Sequence, residues 1–304
     1  MIRKHTRRAA RAAFAVSLGV AILLGVLAGS ATGSTPTVKV GSKNFPEEYV
    51  LGELYSQALK AKGFNVTYKQ SIGSTEIIQV ALTSGQINFY PEYTGVIVQD
   101  VFKNTLSPKT AAATYALAKK EEAAKGYTLL APTPFFDTDA IAVTNATAKK
   151  YGLHTIVDLK KVPSLTLGAM PEFQTRNTGL VGLEDEYGLH NIHFVALGSI
   201  SSYQALDSGK VLAADVFSTD PPLAAPSKYT VLTDPKNLFG FENVAPIVAT
   251  SVVKALGPSF VSTVNAVSAT LTQAAMLAMN KAVEVDQQSP ASVAAAFLKA
   301  NKLG

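Results

Sequence analysis

Two short motifs place hydroxyl, amide, ammonium, carboxylate and aromatic groups directly after short apolar runs. The first is Gly-Ser-Lys-Asn-Phe-Pro-Glu-Glu at 41–48, after the run 38–40, and the second is Tyr-Pro-Glu-Tyr-Thr-Gly at 90–95, after the run 87–89. In α/β folds, small ligands bind in the crevice at the C-terminal ends of the strands. No nucleophile–base pair accompanies these groups, so the pattern favours binding a small molecule over converting it.

The polar residues of the first motif precede a predicted helix. The free amides and the dipole of a helix N-terminus favour an anion, so Ser42, Lys43 and Asn44 are candidates for a carboxylate or hydroxyl clamp. Ser74, which follows Gly73, repeats the arrangement before a second helix. Ordinary helix capping accounts for the same residues equally well.

Aromatic and acidic residues extend the candidate site. Tyr90, Tyr93, Phe217 and Phe241 could offer ring faces to a quaternary ammonium, which cannot donate a hydrogen bond, or they could be core residues. Asp137 and Asp139 stand just before a predicted strand and either line a cleft or cap the strand end. Nothing in the sequence supports the carboxylate spacing of a glycoside hydrolase.

The sequence predicts no cofactor and no metal. There is no Walker loop and no G-x-G-x-x-G motif, and the chain contains no cysteine and only four histidines. His190 and His193 flank an apparent turn and strand, where histidines are more often solvated or structural than metal ligands.

Alternating strands and helices indicate the fold class. Apolar periodicity predicts helices at 46–62, 74–84, 110–125, 258–284 and 290–300, and strands at 38–40, 87–89, 140–143, 165–168, 193–197, 211–216 and 247–250. Such alternation predicts an α/β fold with mainly parallel sheets.

A sequence motif that occurs twice, which we call the internal echo, suggests two similar lobes. Ala-Leu-Thr-Ser-Gly-Gln at 81–86 matches Ala-Leu-Asp-Ser-Gly-Lys at 205–210, and each leads through an apolar strand to a polar tip. Two lobes built alike would face each other across a cleft. The motif is also a common helix ending, because helices often stop at glycine.

The first residues have the layout of a secretory signal. Residues 1–11 hold five cations and no acid, and an apolar run at 12–28 leads to small residues at 29–33. The run also approaches the length of a membrane anchor, which is the alternative. Removing the five cations from 27 Lys+Arg leaves 22 against 22 Asp+Glu. We therefore expect no nucleic-acid partner.

Leu27-Ala28-Gly29-Ser30 resembles a bacterial lipoprotein cleavage box with serine in the place of the lipid-bearing cysteine. Without cysteine the chain cannot carry a thioether-linked lipid. Either ordinary cleavage within 29–35 releases it, or position 30 has been altered. We expect a protein secreted across the cytoplasmic membrane, periplasmic or at the cell surface, and not lipid-anchored.

Over residues 36–304 the chain resembles the substrate-binding proteins of ABC importers for quaternary amines such as glycine betaine, choline and carnitine. The resemblance is carried by 41–59 and 81–95, and also by 171–176, 217–220 and 244–248. It implies a two-lobed periplasmic-binding-protein fold of the second type, with crossovers near 132–136 and 240–245. The implied division is a signal peptide at 1–33, lobe 1 at 34–134 and 246–304, and lobe 2 at 135–245.

The resemblance also implies a site in which aromatic rings cage a trimethylammonium group. Tyr93 and Phe217 keep aromatic positions of that cage, whereas Asp139 and the run Phe241-Glu242-Asn243 stand where the family commonly has tyrosines. A carboxylate pairs with a cation, so a charged amine fits, but the complete tyrosine cage is absent. The predicted ligand-binding residues are Ser42, Lys43, Asn44, Glu48, Ser74, Tyr93, Thr94, Asp137, Thr138, Asp139, Arg176, Phe217, Ser218, Thr219, Asp220, Phe241 and Glu242.

The preferred function is therefore a monomeric, non-enzymatic binding protein that delivers a small polar or cationic osmoprotectant, similar to glycine betaine or choline, to an ABC transporter permease. Two alternatives stay open from the sequence. One is a hydrolase on the same fold that uses Asp137 and Asp139, and the other is a ligand-sensing domain for a membrane partner.

Overall fold

The computed structural model describes residues 36–104, 108–198, 201–224 and 227–304. The predicted signal peptide, its cleavage site and Ser30 lie outside these residues. No helix in the described part of the chain is both long enough and apolar enough to cross a membrane.

Across the described ranges, ten strands form two five-stranded sheets. The strands are β1 (Val38–Gly41), β2 (Val66–Lys69), β3 (Phe89–Tyr93), β4 (Tyr127–Leu129), β5 (Asp139–Thr144), β6 (Leu165–Ala169), β7 (Ile192–Ala196), β8 (Ala213–Phe217), β9 (Tyr229–Val231) and β10 (Val244–Ala249). The first sheet has the order β2-β1-β3-β10-β4 and the second the order β7-β6-β8-β5-β9. Residues 90–93 of the second polar motif thus lie within β3 rather than after it, and residues 94–95 begin the next helix.

The expectation of mainly parallel sheets was wrong. Strand β1 pairs in parallel with β2 and β3, and β6 does so with β7 and β8. Strand β10 runs antiparallel to β3 and β4, and β5 runs antiparallel to β8 and β9. Both β5 and β10 enter after the chain has crossed from the other sheet. No crossover helix on their own sheet therefore imposes a parallel direction on them.

The helices largely match the predicted ones in position. Their bounds are α1 (Pro46–Ala61), α2 (Thr75–Thr83), α3 (Thr94–Val96), α4 (Ala111–Ala124), α5 (Asn145–Tyr151), α6 (Leu180–Asp185), α7 (Ser202–Asp207), α8 (Thr250–Thr270), α9 (Gln273–Glu284) and α10 (Pro290–Ala300). Helix α1 begins at Pro46, whose missing amide costs nothing in a first turn. A π-helical turn at Ile97–Val101 follows α3.

The single helix predicted at 258–284 is wrong in extent, because the structure has two helices there. Helix α8 already starts at Thr250 and kinks at Gly257, which has φ 71° and precedes Pro258. It ends at Thr270, and Thr272 caps α9 by accepting a hydrogen bond from the Ala275 amide. The kink and this second cap are local features that the apolar periodicity does not report.

The internal echo has the same backbone geometry in both halves. Gly85 and Gly209 follow the ends of α2 and α7 with φ 74° and 70°. The amides of Ile87 and Val211 then donate to the carbonyls of Ala81 and Ala205 at 3.1 and 3.2 Å. Each turn feeds the strand that carries cleft residues, β3 in one sheet and β8 in the other.

Each sheet has its own apolar core. One core combines α1 and β1 with residues of β10 and the C-terminal helices α8, α9 and α10, so both ends of the described chain pack on the first sheet. The principal core of the second sheet runs from Ile141 to Phe239. The chain passes between the two sheets through 130–138 and again through 232–243. The candidate site lies between these two bodies.

Candidate functional site

A cavity of about 120 Å³ lies between the two sheets. This is several times the ~15 Å³ that one water molecule needs, so a small organic solute fits. Its lining residues are Lys43, Asn44, Phe45, Ser74, Thr75, Tyr93, Val96, Asp137, Asp139, Met170, Glu172, Phe173, Arg176, Asp215, Phe217 and Glu242. Of these side chains five are acids and two are cations, so the lining has an excess of acidic groups.

Three aromatic rings form a stack along one wall. Phe45 lies between Tyr93, at 6.3 Å between ring centroids, and Phe217, at 5.7 Å with the two planes 7° apart. Phe45 and Tyr93 belong to the first sheet's side of the cavity and Phe217 ends β8 of the second sheet. The stack therefore joins the two sides through ring faces.

The ammonium of Lys43 lies against this stack. Its Nζ is 4.4 Å from the centroid of the Tyr93 ring and 5.4 Å from that of Phe45, within cation–π range. It also forms an ion pair with Glu92 at 2.5 Å, and both side chains are buried. Burial alone would lower the pKa of Lys43, but the carboxylates of Glu92 and Glu48 outweigh it and raise that pKa above its ordinary value.

The first turn of α1 contributes two buried carboxyl groups. Glu47 accepts hydrogen bonds from the hydroxyls of Tyr93 at 2.8 Å and Thr219 at 2.6 Å, and from the Asn280 amide at 2.8 Å. Burial raises the pKa of Glu47, against the effect of these three donors. Because Thr219 follows β8, Glu47 links the two sides of the cavity.

Four acids of the lining, Asp137, Asp139, Asp215 and Glu242, make up what we call the acidic wall. Asp139 begins β5 and Asp215 lies in the neighbouring strand β8. Burial raises the pKa of Asp139 to about 6, and burial together with the Asp139 charge raises that of Asp215. Asp137 accepts from the Thr219 amide at 3.0 Å, and Glu242 accepts from the amides of Gly95 and Val96 at 2.9 and 3.1 Å. Burial raises the pKa of both carboxyls.

Arg176 spans the cavity rim. Its Nε donates to Glu76 of α2 at 3.1 Å and lies 3.8 Å from Asp100, and the Thr178 hydroxyl donates to Asp100 at 2.9 Å. The pKa of Glu76 falls to about 2, because hydrogen bonds from Arg176 and Ser74 outweigh its partial burial. The residues at 76 and 100 belong to the first side and those at 176 and 178 to the second. These bonds are a second link between the two sides.

The structure brings nine of the predicted residues together around the cavity. These are Lys43, Asn44, Ser74, Tyr93, Asp137, Asp139, Arg176, Phe217 and Glu242. Ser74 occupies the N-cap position of α2, but its hydroxyl donates to Glu76 at 2.6 Å and no side-chain cap bond forms. The predicted capping role of its side chain was therefore wrong.

Several other predicted residues support the lining without being part of it. Ser42 is hydrogen-bonded to Tyr68 at 2.9 Å, Glu48 accepts from the Lys43 amide at 3.0 Å, and Thr94 donates to the Phe241 carbonyl at 2.9 Å. The four predicted residues that lie outside the cavity lining are Ser42, Glu48, Thr94 and Phe241. Their polar groups are used in fixing the loops that carry Lys43 and Glu242.

The remaining predicted residues lie around the turn after β8. The Thr138 amide donates to Ser218 at 3.0 Å, and Asp220 accepts from Tyr203 at 2.8 Å. Thr219 and Asp220 line a second, more open depression of about 180 Å³, which also includes Phe45, Asp137 and Phe217 of the first cavity.

Sequence reasoning missed seven lining residues: Phe45, Thr75, Val96, Met170, Glu172, Phe173 and Asp215. Phe45, Glu172 and Phe173 lie inside motifs already singled out, so proximity to named residues was a usable signal. Asp215 sits in the middle of the apolar run 211–217, and a lone acid in such a run is the signal that could have found it. In the described residues, no group of His, Cys, Asp and Glu has an arrangement that could hold a metal.

Comparison with known proteins gives consistent results. Residues 36–300 match the family model described as the substrate binding domain of ABC-type glycine betaine transport system. The chain is 34% identical over 283 residues to the glycine-betaine-binding protein of Pseudomonas aeruginosa, with 88% of each chain covered. It is 31% identical over 278 residues to the glycine betaine-binding protein YehZ of Escherichia coli, covering 86% of this chain and 90% of the relative.

A solved structure is similar over the same region. The crystal structure of a glycine betaine/carnitine/choline ABC transporter superposes with a TM-score of 0.69 and 25% sequence identity. The match covers 88% of this chain and 99% of that chain.

Proposed function

The chain belongs to the family of substrate-binding domains of ABC-type glycine betaine transport systems, and we propose that its cavity captures a small cationic or zwitterionic solute for an ABC permease. The family consists of extracytoplasmic binding proteins that are not enzymes, and the fold is the two-lobed α/β fold of type II periplasmic binding proteins. Both points agree with the sequence predictions. The solute belongs to the class that includes glycine betaine and choline.

The observation that carries this proposal is the composition of the cavity between the lobes. Five acidic residues line it, and its two cations are already held by carboxylates outside the lining. The aromatic stack of Phe45, Tyr93 and Phe217 lines the same cavity and supplies an apolar wall. A positively charged group is therefore favoured inside.

The other end of the ligand has a complementary environment. Ser74 and Thr75 line the cavity at the N-terminus of α2, and Asn44 lines it just before the N-cap of α1. The dipole of a helix favours negative charge at its N-terminus. No side-chain cap bond forms there. A carboxylate or hydroxyl of the ligand is the natural occupant, which favours a zwitterion or a hydroxylated amine.

Contacts between the lobes provide the closing device. One contact is the hydrogen bond between Glu47 and Thr219, and the other is the pair of ion pairs of Arg176 with Glu76 and Asp100. A ligand that contacts both lobes favours the conformation in which these contacts form, since it binds that conformation more tightly. Closure then presents the lobe surfaces that the permease recognises.

The rest of the assignment extends this proposal. The domain division is lobe 1 at 34–134 and 246–304 and lobe 2 at 135–245, preceded by a signal peptide at 1–33. The protein is exported, cleaved within 29–35 and released without a lipid anchor, because the chain has no cysteine. It acts as a monomer and binds no nucleic acid, in keeping with the 22 cations and 22 acids outside the leader.

A thermal-shift screen of purified protein tests the function. The screen covers betaines, choline and carnitine with their less methylated analogues, and also ectoine, polyols and aromatic glycosides. A true ligand at one hundred times its Kd should stabilise the protein by about 2.7 kcal/mol. NMR of the hit after long incubation with the protein should show unchanged ligand. Turnover would instead favour a hydrolase, and no stabilisation by any amine would refute the proposal.

A further inference from the structure

Asp139 and Asp215 form a carboxyl pair inside the cavity. In the antiparallel pairing of β5 with β8, Asp139 lies opposite Phe217 and Ile141 lies opposite Asp215. Asp139 and Asp215 are therefore diagonal neighbours on one face of the sheet, close enough for their side chains to meet. Both carboxyl groups line the cavity, and the charge of Asp139 disfavours the ionisation of Asp215.

Two buried carboxyl groups on one face of a sheet repel when both are ionised, so we expect the pair to hold one proton. Asp215 is 5% exposed, and its Oδ1 finds no hydrogen-bond donor among the described residues. Glu242 is 2% exposed and also lines the cavity, and its Oε1 likewise receives no hydrogen bond from the described residues. The acidic wall therefore holds buried acceptor atoms that lack donors.

The charged groups around the pair do not supply those donors. Arg176 acts electrostatically on both aspartates, but its Nε and one Nη donate to Glu76. Lys43 also acts on Asp139, but its Nζ donates to Glu92 and Thr75. The other charged groups that face the pair are acids, namely Asp100, Asp220 and Glu242. No described residue donates to Asp215 Oδ1 or Glu242 Oε1, so both atoms are available to the N–H groups of a ligand.

The aromatic stack, in contrast, leaves little room for a trimethylammonium group. Lys43 already lies over the Tyr93 ring at 4.4 Å. Phe45 and Phe217 are stacked at 5.7 Å between centroids, a separation that leaves no space for a methylated cation between them. The rings therefore contact one another and the protein's own ammonium.

We propose that the ligand's cationic group carries N–H bonds and donates them to the Asp139–Asp215 pair. This inference rests on the proposed binding function and narrows its ligand to amines that are not fully methylated. One cation enters, and the proton shared by the two carboxyl groups leaves to solvent, so the charge of the pair changes from −1 to −2 as the ligand adds +1. Binding is therefore coupled to proton release.

A methylation series tests the proposal with ligand shape otherwise constant. Calorimetry at pH 7 would compare glycine, N-methylglycine, N,N-dimethylglycine and glycine betaine, and separately ethanolamine and choline. We expect the tightest N–H-bearing member of each series to bind at least tenfold more tightly than the fully methylated one. The binding enthalpy of that ligand, measured in buffers of different ionisation enthalpy, should show the release of about one proton per ligand bound.

Variants separate the pair from other buried acids. Asp215→Asn should abolish the proton release and weaken the N–H ligand at least tenfold. Glu122→Gln is the matched control, because Glu122 is a buried acid outside the cavity whose pKa is raised by burial to about 7. It should leave both quantities unchanged.

The possible outcomes distinguish this inference from the binding function. Tighter binding of glycine betaine or choline than of their N–H counterparts, without proton release, would overturn the inference and leave the binding function standing. Failure of every compound to bind would overturn both. The wild-type series decides the question even if Asp215→Asn fails to fold.

Discussion

Replacing Lys43 with methionine should destabilise the protein by about 3–5 kcal/mol, the usual cost of removing one partner of a buried ion pair. Lys43 is 5% exposed, Glu92 is fully buried, and their charged atoms are 2.5 Å apart. In the variant, Glu92 would keep neutral donors, among them the Tyr93 amide at 2.8 Å and the Thr75 hydroxyl at 3.0 Å. Those neutral donors do not compensate a buried charge.

A second substitution separates charge from packing. Lys43→Met with Glu92→Gln removes both charges, and the double variant should recover at least half of the loss, since replacing a whole buried pair is often neutral. Lys39→Met is the control, because Lys39 is an exposed lysine of β1, the strand just before Lys43, and its ammonium donates to the Gly85 carbonyl. It should cost less than about 1 kcal/mol.

Urea unfolding followed by far-ultraviolet circular dichroism measures these differences, because the chain has no tryptophan to report by fluorescence. The raised pKa of Lys43 keeps it charged, so its contribution is complete below about pH 10 and constant across the assay range. A loss below about 1 kcal/mol, or a double variant no more stable than the single one, would refute the reasoning.

Three further substitutions test other parts of the site. Burial raises the pKa of Glu48 to about 8, so the folded state holds a proton that the unfolded state releases above about pH 4.5. The free energy of unfolding should therefore fall as pH rises from about 4.5 to 8. Glu48→Gln should reduce the difference between the urea midpoints at pH 5 and pH 8, and an unchanged difference would contradict this prediction. Tyr93→Ala should weaken ligand binding by more than about 1 kcal/mol in calorimetry, because its ring lines the cavity and contacts both Phe45 and Lys43; equal affinities would remove it from the site. Thr219→Val deletes the hydroxyl that donates to Glu47 across the lobes and should weaken ligand binding by about 1.5–3 kcal/mol. Stopped-flow measurements should show mainly a faster dissociation of the ligand. An unaltered dissociation rate would show that this hydrogen bond does not stabilise the closed conformation.

The sequence by itself determined the local structure and the family. Apolar periodicity located most helices and strands, and Pro46 marked the start of α1 as expected. Gly85 and Gly209 marked the repeated turns that lead to the cleft strands, because their positive φ favours glycine. Motifs at 41–59 and 81–95 were specific enough to indicate the type of binding protein. These features depend on residues that are close together in the chain.

Tertiary structure alone decided the directions of β5 and β10 and the pairing of buried charges. Glu47 meets Thr219 across 172 positions and Asn280 across 233, and no short-range pattern encodes such contacts. Lys43 was predicted to face a ligand, yet its ammonium is held by Glu92, which sequence reasoning did not include in the site.

The same limit applies to the acidic wall. Asp215 follows Asp139 by 76 positions, and only the antiparallel register of their strands makes them diagonal neighbours on one face. The sequence supplied the cations, acids and rings of the cavity. Long-range packing decided which of these groups neutralise one another and which remain available to a ligand. The reason is that the ionisation of a buried group depends on the groups within a few ångströms of it rather than on its neighbours in the sequence.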